Sequence, residues 1–267
     1  MDLKLNINLI LLNLLAPLCM WGFSLNNIDA YKEQVINQKL FADPQWLKLG
    51  HYHQSSEGHY LSKIQGNFFI SPDGNTNPLS ELIVTIETFI NNPMSQCKYP
   101  ARFKWLKQKL QIDQESYHCS ELASWKKKLG AKEIYIVFAA GDLNNPGSSF
   151  GHTFIRLHNP NSSSELLDYG VNFAAYTEND SGALYALKGL FGFYKGSYSM
   201  LPYHQKIREY TNLEGRDLWE YKLDLSPDEV DFIIDHLLEL DGSYSYYYFS
   251  DENCSYQILE LLNIVRP

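Results

Sequence analysis

HTFIRLHNPNSSSELLDYGVNF, residues 152–173, is the stretch that decides the fold class. Two of its parts, His152 to His158 and Leu166 to Phe173, contain the β-branched and aromatic residues that favour strands. The polar segment between them, Asn159 to Ser164, supplies a turn. Another apolar, β-branched run precedes the stretch, from Ile134 to Ala140. Together these segments predict an antiparallel sheet.

Helical patterns surround this sheet. Asn77 and Pro78 form an N-cap and first-turn pair before an apolar stripe, and Ser226, Pro227 and Glu229 form a capping box before another stripe. We also expect a helical segment at 26–42, short strands at Trp46–Tyr52, Asn67–Ser71 and Asp217–Leu225, and helices at Ala101–Ile112 and Ile258–Leu262. The predicted fold class is α+β, with a mainly helical N-terminal subdomain over residues 25–130 and a sheet-containing core over residues 131–267.

Composition and charge limit the classes of function. The chain has 267 residues, of which 45% are hydrophobic and 14% aromatic, so it can bury a full core. Its net charge of -9 argues against a surface for nucleic acids or anionic membranes, since both require clustered Lys and Arg. We therefore expect no nucleic-acid partner.

The first 24 residues have the pattern of an export signal. Lys4 precedes a Leu- and Ile-rich run from Ile7 to Leu18, and the small residues Gly22 and Ser24 follow it. The apolar run is shorter than the roughly 20 residues that span a bilayer. The alternative is a buried or interfacial amphipathic helix. We predict export, with residues 1–24 as the signal peptide.

Once the signal is removed, three cysteines remain in a compartment that permits disulfides. Cys97 and Cys119 flank one predicted helix, and a bridge between them would contribute roughly 3 kcal/mol by closing a short loop. The alternative is a pair of buried free thiols. In both cases Cys254 is the third cysteine and lies outside this pair.

Cys254 follows four polar residues at the start of the last helix. Ser250 or Asp251 is a suitable N-cap, which would place the cysteine in the first helical turn. The positive end of the helix dipole and the free N–H groups there favour a thiolate, which is the reactive form of the residue. The alternative is a small buried residue that only packs the helix.

Of the eight histidines, His152 alone lies between a small-residue loop and a strand. Its neighbours Ser149 and Gly151 leave room for a substrate, so His152 is the candidate base for the thiol. The hairpin predicts that Asn172 lies near the position opposite His152, where an amide could orient the imidazole. Asp168, on the same face, is the second candidate, because the register could slip by one or two residues.

Other patterns compete with this site. Gly147 to Gly151 matches the serine elbow G-x-S-x-G, but a strand follows Ser149 where an elbow needs a helix. His51, His53 and His59 could form a metal site, although no cysteine or carboxylate cluster accompanies them. We predict no metal and no cofactor.

Two further alternatives concern acidic and apolar segments. Asp251 with Glu252 or Asp168 could form a glycosidase pair, but their separation does not follow from the sequence. The apolar stretch Gly182 to Gly196 could line a groove for an acyl chain or a peptide, or could be core.

Several motifs resemble the Lnb N-terminal periplasmic domain family of bacterial envelope proteins. They are SFGHTF (149–154), DYG (168–170), DENCSY (251–256), SPDG (71–74) and CKYPAR (97–102), and the resemblance runs from about Trp46 to the C-terminus. It implies a periplasmic location.

The order of the reactive residues carries a second, looser resemblance. A histidine first and a cysteine last, with the cysteine after an asparagine at a helix start, is similar to circularly permuted papain-like enzymes such as the lecithin retinol acyltransferase group. This resemblance implies that a helix with Cys254 packs against a sheet with His152. It also implies a thioester formed from an amide or ester. Members of that wider group act on lipids, peptides or cell-wall material.

We therefore expect an envelope thiol hydrolase or acyltransferase with a permuted papain-like core that is cut short at its C-terminus. Cys254, His152 and Asn172 or Asp168 are the expected catalytic residues, and Ser149, Gly151 and Asn253 are expected to contact the substrate. The expected partner is an envelope lipid, peptide or cell-wall substrate, with peripheral membrane contact. The alternative function is a non-catalytic periplasmic module that binds a partner envelope protein or assists its folding.

Overall fold

The computed structural model describes residues 28–112, 116–141, 151–177, 180 and 182–266. The predicted signal peptide lies outside these residues. Among the described residues, no helix is long and apolar enough to cross a membrane.

The described residues form an α+β fold, which confirms the predicted class. The helices are α1 (28–37), α2 (Pro44–Leu49), α3 (Pro78–Asn91), α4 (Pro100–Leu110), α5 (Ser120–Leu129), α6 (Gly182–Leu190), α7 (Tyr203–Ile207), α8 (Pro227–Glu239) and α9 (Cys254–Asn263). The strands are β1 (Tyr52–Gln54), β2 (Tyr60–Ser62), β3 (Gln65–Gly66), β4 (Glu133–Ala139), β5 (His152–His158), β6 (Tyr169–Ala175), β7 (Tyr194–Pro202), β8 (Leu218–Lys222) and β9 (Ser243–Tyr247).

Seven of these strands form one antiparallel sheet in the order β3-β9-β7-β6-β5-β4-β8. Helix α9 lies against β5 and β6, and α8 packs on α4 and β4. One hydrophobic cluster contains residues from both sides of position 130, since Trp46 and Trp105 belong to the same buried cluster as Ile155 and Leu261. The sheet and α9 are the parts that build the candidate site.

Two short strands were predicted wrongly. Residues 46–49 belong to helix α2, because Asp43 caps its N-terminus through a 2.9 Å bond from Gln45 N and Pro44 fits the first turn. Asn67 to Ser71 forms no strand, and only Gln65 and Gly66 pair with β9. At α2, the local capping signal therefore outweighed the apolar pattern.

The disulfide between Cys97 and Cys119 is present, as predicted, with a Cα–Cα distance of 5.5 Å. It joins the start of α4 to the start of α5 rather than the two ends of one helix, because α4 ends at Leu110. Among the described residues, Cys254 is the free cysteine, and its side chain is buried.

Candidate active site

Cys254 is the first residue of helix α9. Its N-cap is Asn253, whose Oδ1 accepts a hydrogen bond from Tyr256 N at 3.2 Å. The sequence suggested Ser250 or Asp251 as the cap, but the helix begins later, where an asparagine with extended backbone can reach the third helical N–H. The thiol therefore lies at the positive end of α9. Asn253, an expected substrate contact, has a capping role in this structure.

The thiol of Cys254 has three polar neighbours although it is only 5% exposed. Burial has the largest influence on its pKa and raises it. The hydrogen bond and charge of His152, the Thr153 N–H and the Tyr247 hydroxyl together act in the opposite direction. Their sum lowers the pKa of Cys254 from 9.0 to about 6. The structure therefore favours a thiolate at neutral pH.

His152 is fixed on the sheet by its neighbours. It begins strand β5, and its ring stacks on Tyr210 and Phe154 with centroid distances of 5.9 and 6.2 Å. Its Nε2 is hydrogen-bonded to Asn172 Oδ1. Because an amide oxygen accepts, Nε2 carries the proton, and Nδ1 is the nitrogen left for Cys254.

Asn172 reaches His152 through a register different from the expected one. Ile155 lies opposite Val171, whereas a pairing of His152 with Asn172 would have placed it opposite Tyr169. A shift by two residues leaves every side chain on its original face. Asn172 therefore stays on the same face of the sheet as His152 and contacts it diagonally.

Asp168 lies at the other end of strand β5. Its carboxylate accepts from Arg156 at 2.9 Å, from His158 Nδ1 at 2.7 Å and from Asn159 N at 3.2 Å. His158 is six residues from His152, which is about 20 Å along an extended strand. Asp168 therefore belongs to an ion pair at that end of β5, and of the two candidates Asn172 is the one that contacts His152.

The remaining residues singled out in the sequence have other surroundings. Ser149 lies outside the described residues, so its expected substrate contact stays a prediction. Gly151 has φ of +86°, and a Cβ there would lie 2.8 Å from Ala139 O. The glycine therefore lets the chain approach β4 closely just before His152.

Two of the three histidines considered for a metal site have other partners. His51 Nε2 lies 2.9 Å from His236 Nε2, and His53 Nε2 lies 3.2 Å from Glu260. Among the described residues, no group of three or more His, Cys, Asp or Glu side chains is arranged to hold a metal ion. Of the carboxylates considered as partners of Asp251 in a glycosidase pair, Glu252 forms an ion pair with Lys63 and Asp168 forms one with Arg156.

A cavity of about 190 Å³ lies beside the thiol site. Its charged walls are internally paired, since Lys206 contacts Glu209 at 2.8 Å and Arg216 contacts Glu214 at 2.8 Å. The lining residues are His152, Asn172, Ala174, Ala175, Thr177, Tyr185, Lys206, Glu209, Tyr210, Glu214, Arg216, Tyr247 and Phe249.

Sequence reasoning missed the tyrosines of this cavity. The sequence analysis predicts no strand between Ser243 and Tyr247, but these residues form strand β9. Its aromatic content and its position beside the cysteine motif were the available signals. Tyr210 had no comparable signal, because it lies in a π-helical segment (Arg208–Leu213) after α7.

Two family models match separate parts of the chain. A family model described as Lnb N-terminal periplasmic domain matches residues 121–267, and a domain of unknown function, DUF7843, matches residues 38–109. No curated protein and no solved structure matches the chain. The first match contains both His152 and Cys254.

Proposed function

The chain belongs to the Lnb N-terminal periplasmic domain family, and we propose that this periplasmic domain is a thiol hydrolase or acyltransferase acting on an ester or amide. Cys254 is the nucleophile, His152 moves the proton and Asn172 orients the imidazole. One observation carries the proposal: the helix that begins with the buried Cys254 lies against the strands that carry His152 and its hydrogen-bonded partner Asn172. Against the effect of burial, His152, the Thr153 N–H and the Tyr247 hydroxyl lower the pKa of this thiol to about 6. Burial alone would keep such a thiol protonated and inert.

The reaction proceeds in two halves. The Cys254 thiolate attacks the carbonyl carbon, a C–S bond forms, and the carbonyl electron pair moves to oxygen. The tetrahedral adduct collapses when the C–O or C–N bond breaks, and protonated His152 gives its proton to the leaving alcohol or amine. His152 then takes a proton from the acceptor, which is water, an alcohol or an amine, as this acceptor attacks the thioester. The thiolate leaves and is regenerated.

The proposed core is permuted papain-like. In this arrangement a helix begins with the nucleophile and packs on a sheet that carries the base and its amide partner. Helix α9 begins at Cys254 and lies against β5 and β6, which carry His152 and Asn172. A non-catalytic binding module has no need for this pairing, so the geometry favours the enzyme.

The surroundings of the cavity favour a substrate with an apolar acyl chain at a membrane. Helix α6 packs on the cavity residue Phe249, whose N–H donates to Gly189 O at 3.0 Å. The apolar patch of α6 and the residues that follow it consists of Leu184, Leu187, Leu190, Phe191 and Phe193, each between 51% and 71% exposed. An apolar patch next to a wall of the cavity suits a lipid-borne ester or amide.

We expect the double variant Leu184→Asp, Leu187→Asp to bind phosphatidylcholine vesicles about tenfold or more weakly than the parent chain, because two apolar contacts become charged. Vesicle co-sedimentation measures this. The matched control is Leu167→Asp, since Leu167 is 60% exposed but lies outside the patch, beside Asp168. Equal binding by all three proteins, or no binding by the parent, would remove the membrane from the proposal.

Acylation of Cys254 tests the proposed chemistry itself. With p-nitrophenyl acetate at about pH 7, we expect a single acetyl group on Cys254, formed about 10²-fold faster than on N-acetylcysteine. Intact-mass and peptide mass spectrometry locate the group, and Cys254→Ser is the control. A rate no higher than that of the free thiol would contradict the proposal.

A further inference from the structure

The hydroxyl of Tyr247 lies at the N-terminus of α9. Its oxygen accepts a hydrogen bond from the backbone N–H of Cys254 at 3.3 Å, and its O–H also contacts the thiol. Tyr247 lines the same cavity as His152 and Asn172. The mechanism above does not use this residue.

The ring of Tyr247 is held in place on several sides. It stacks on Phe173 with a centroid distance of 6.0 Å and an interplanar angle of 12°, and it meets Phe249 edge-on at 6.1 Å. Gly196 on strand β7 leaves the space for these rings, because a Cβ there would lie 3.1 Å from Tyr247 and 2.6 Å from Phe173. The hydroxyl therefore has a fixed position relative to the thiol.

Attack by the thiolate creates an oxyanion close to this hydroxyl. The substrate carbonyl carbon becomes bonded to the sulfur of Cys254, and the backbone nitrogen belongs to the same residue. The carbonyl oxygen therefore falls within reach of the N–H of Cys254. In the resting protein that N–H is bonded to the oxygen of Tyr247. When the oxyanion takes the N–H, the phenol loses its donor and is free to turn its own O–H to the same oxyanion.

The phenol has the protonation state that this role requires. Burial, followed by the charge of Cys254, raises the pKa of Tyr247 above its ordinary value of 10.0, so the hydroxyl keeps its proton at neutral pH. A neutral O–H held in a fixed position is an effective donor to a developing negative charge.

We infer that Tyr247 is a further catalytic residue that donates its O–H to the oxyanion, with the N–H of Cys254 as the second donor. This inference rests on the proposed thiol chemistry. It assigns the strand β9 tyrosine a role in stabilising the transition state, separate from the roles of His152 in proton transfer and Asn172 in orientation.

The test compares two reactions of the same thiol. Acylation by p-nitrophenyl acetate passes through an oxyanion, whereas alkylation by iodoacetamide displaces iodide and forms none. Rate constants are taken on the plateau above the thiol pKa, so that a change in thiolate fraction does not contribute. We expect Tyr247→Phe to lower the acylation rate constant by roughly 10²-fold and the alkylation rate constant by less than about threefold.

The control is Tyr246→Phe, because Tyr246 is on the same strand and is 45% exposed. It should change neither rate. An equal fall of both rates in Tyr247→Phe would assign Tyr247 a purely structural role, and unchanged acylation would exclude it from the oxyanion site; either result overturns the inference. A wild-type thiol that is not acylated would instead overturn the proposed function.

Discussion

Replacing His152 by alanine is expected to slow acylation of Cys254 by p-nitrophenyl acetate at about pH 7 by at least roughly 10²-fold. With a pKa of about 6, most of the thiol is ionised at neutral pH, and without His152 burial raises the pKa again and leaves it protonated. The expected loss comes from this fall in the thiolate fraction, because p-nitrophenolate leaves as an anion and needs no proton from His152.

The matched control for this variant is His158→Ala. His158 is on the same strand as His152, but it contacts Asp168 at the other end. We expect its acylation rate to stay within about threefold of wild type. Similar losses in the two variants would indicate general disruption of β5, and an unchanged rate in His152→Ala would contradict its role as the base.

The second large effect concerns stability. Arg102 on α4 is 1% exposed, and its guanidinium lies 2.7 Å from Glu81 and 3.5 Å from Glu239. It also donates to Phe68 O at 3.1 Å. These contacts join α3 and α4 to α8, and they neutralise two buried carboxylates. Burial, only partly offset by the charge of Arg102 and by backbone N–H groups, raises the pKa of Glu239 to about 7.

We expect Arg102→Met to lower the free energy of unfolding by roughly 3–5 kcal/mol at about pH 7, because it leaves two buried carboxylates without a cation. In the variant the folded-state pKa of Glu239, which burial already raises, lies further above its unfolded value. The penalty therefore grows as pH rises through the unfolded pKa, and it becomes smaller at about pH 5, where this carboxyl is more easily protonated.

Urea unfolding at the two pH values measures this effect. Lys222→Met is the control. Lys222 is on the edge strand β8 and forms an exposed ion pair with Glu133, so its loss should change the free energy of unfolding little. A loss for Arg102→Met no larger than that for Lys222→Met would show that the buried carboxylates do not need the arginine.

The sheet was predictable because its signals are local. Strand β5 runs from His152 to His158, as its β-branched and aromatic residues indicated, and the capping box at Ser226 starts α8. Helix α2 was predicted as a strand because short apolar runs fit both strand and helix. The cap at Asp43 was a local signal that would have corrected this prediction. Asn67–Ser71 forms neither a strand nor a helix.

The candidate site was predictable to different degrees. Cys254 followed from cysteine count and helix position, and Asn172 from the two-residue periodicity of a hairpin, which tolerated a register shift of two. Asp168 lies on the same face, but the face alone does not fix the distance along a strand. Tyr247 depends on the pairing of β9 with β7, a contact between distant parts of the chain that no local pattern encodes.

Titration of the Cys254 thiolate tests the central claim most directly. Ultraviolet absorbance of the thiolate is followed across pH in the native chain, in Cys254→Ser as the blank, and in His152→Ala. We predict a midpoint at about pH 6 in the native chain and a rise above the ordinary value of 9.0 in His152→Ala. A native midpoint near 9.0 that His152→Ala leaves unchanged would show that the histidine does not activate the thiol.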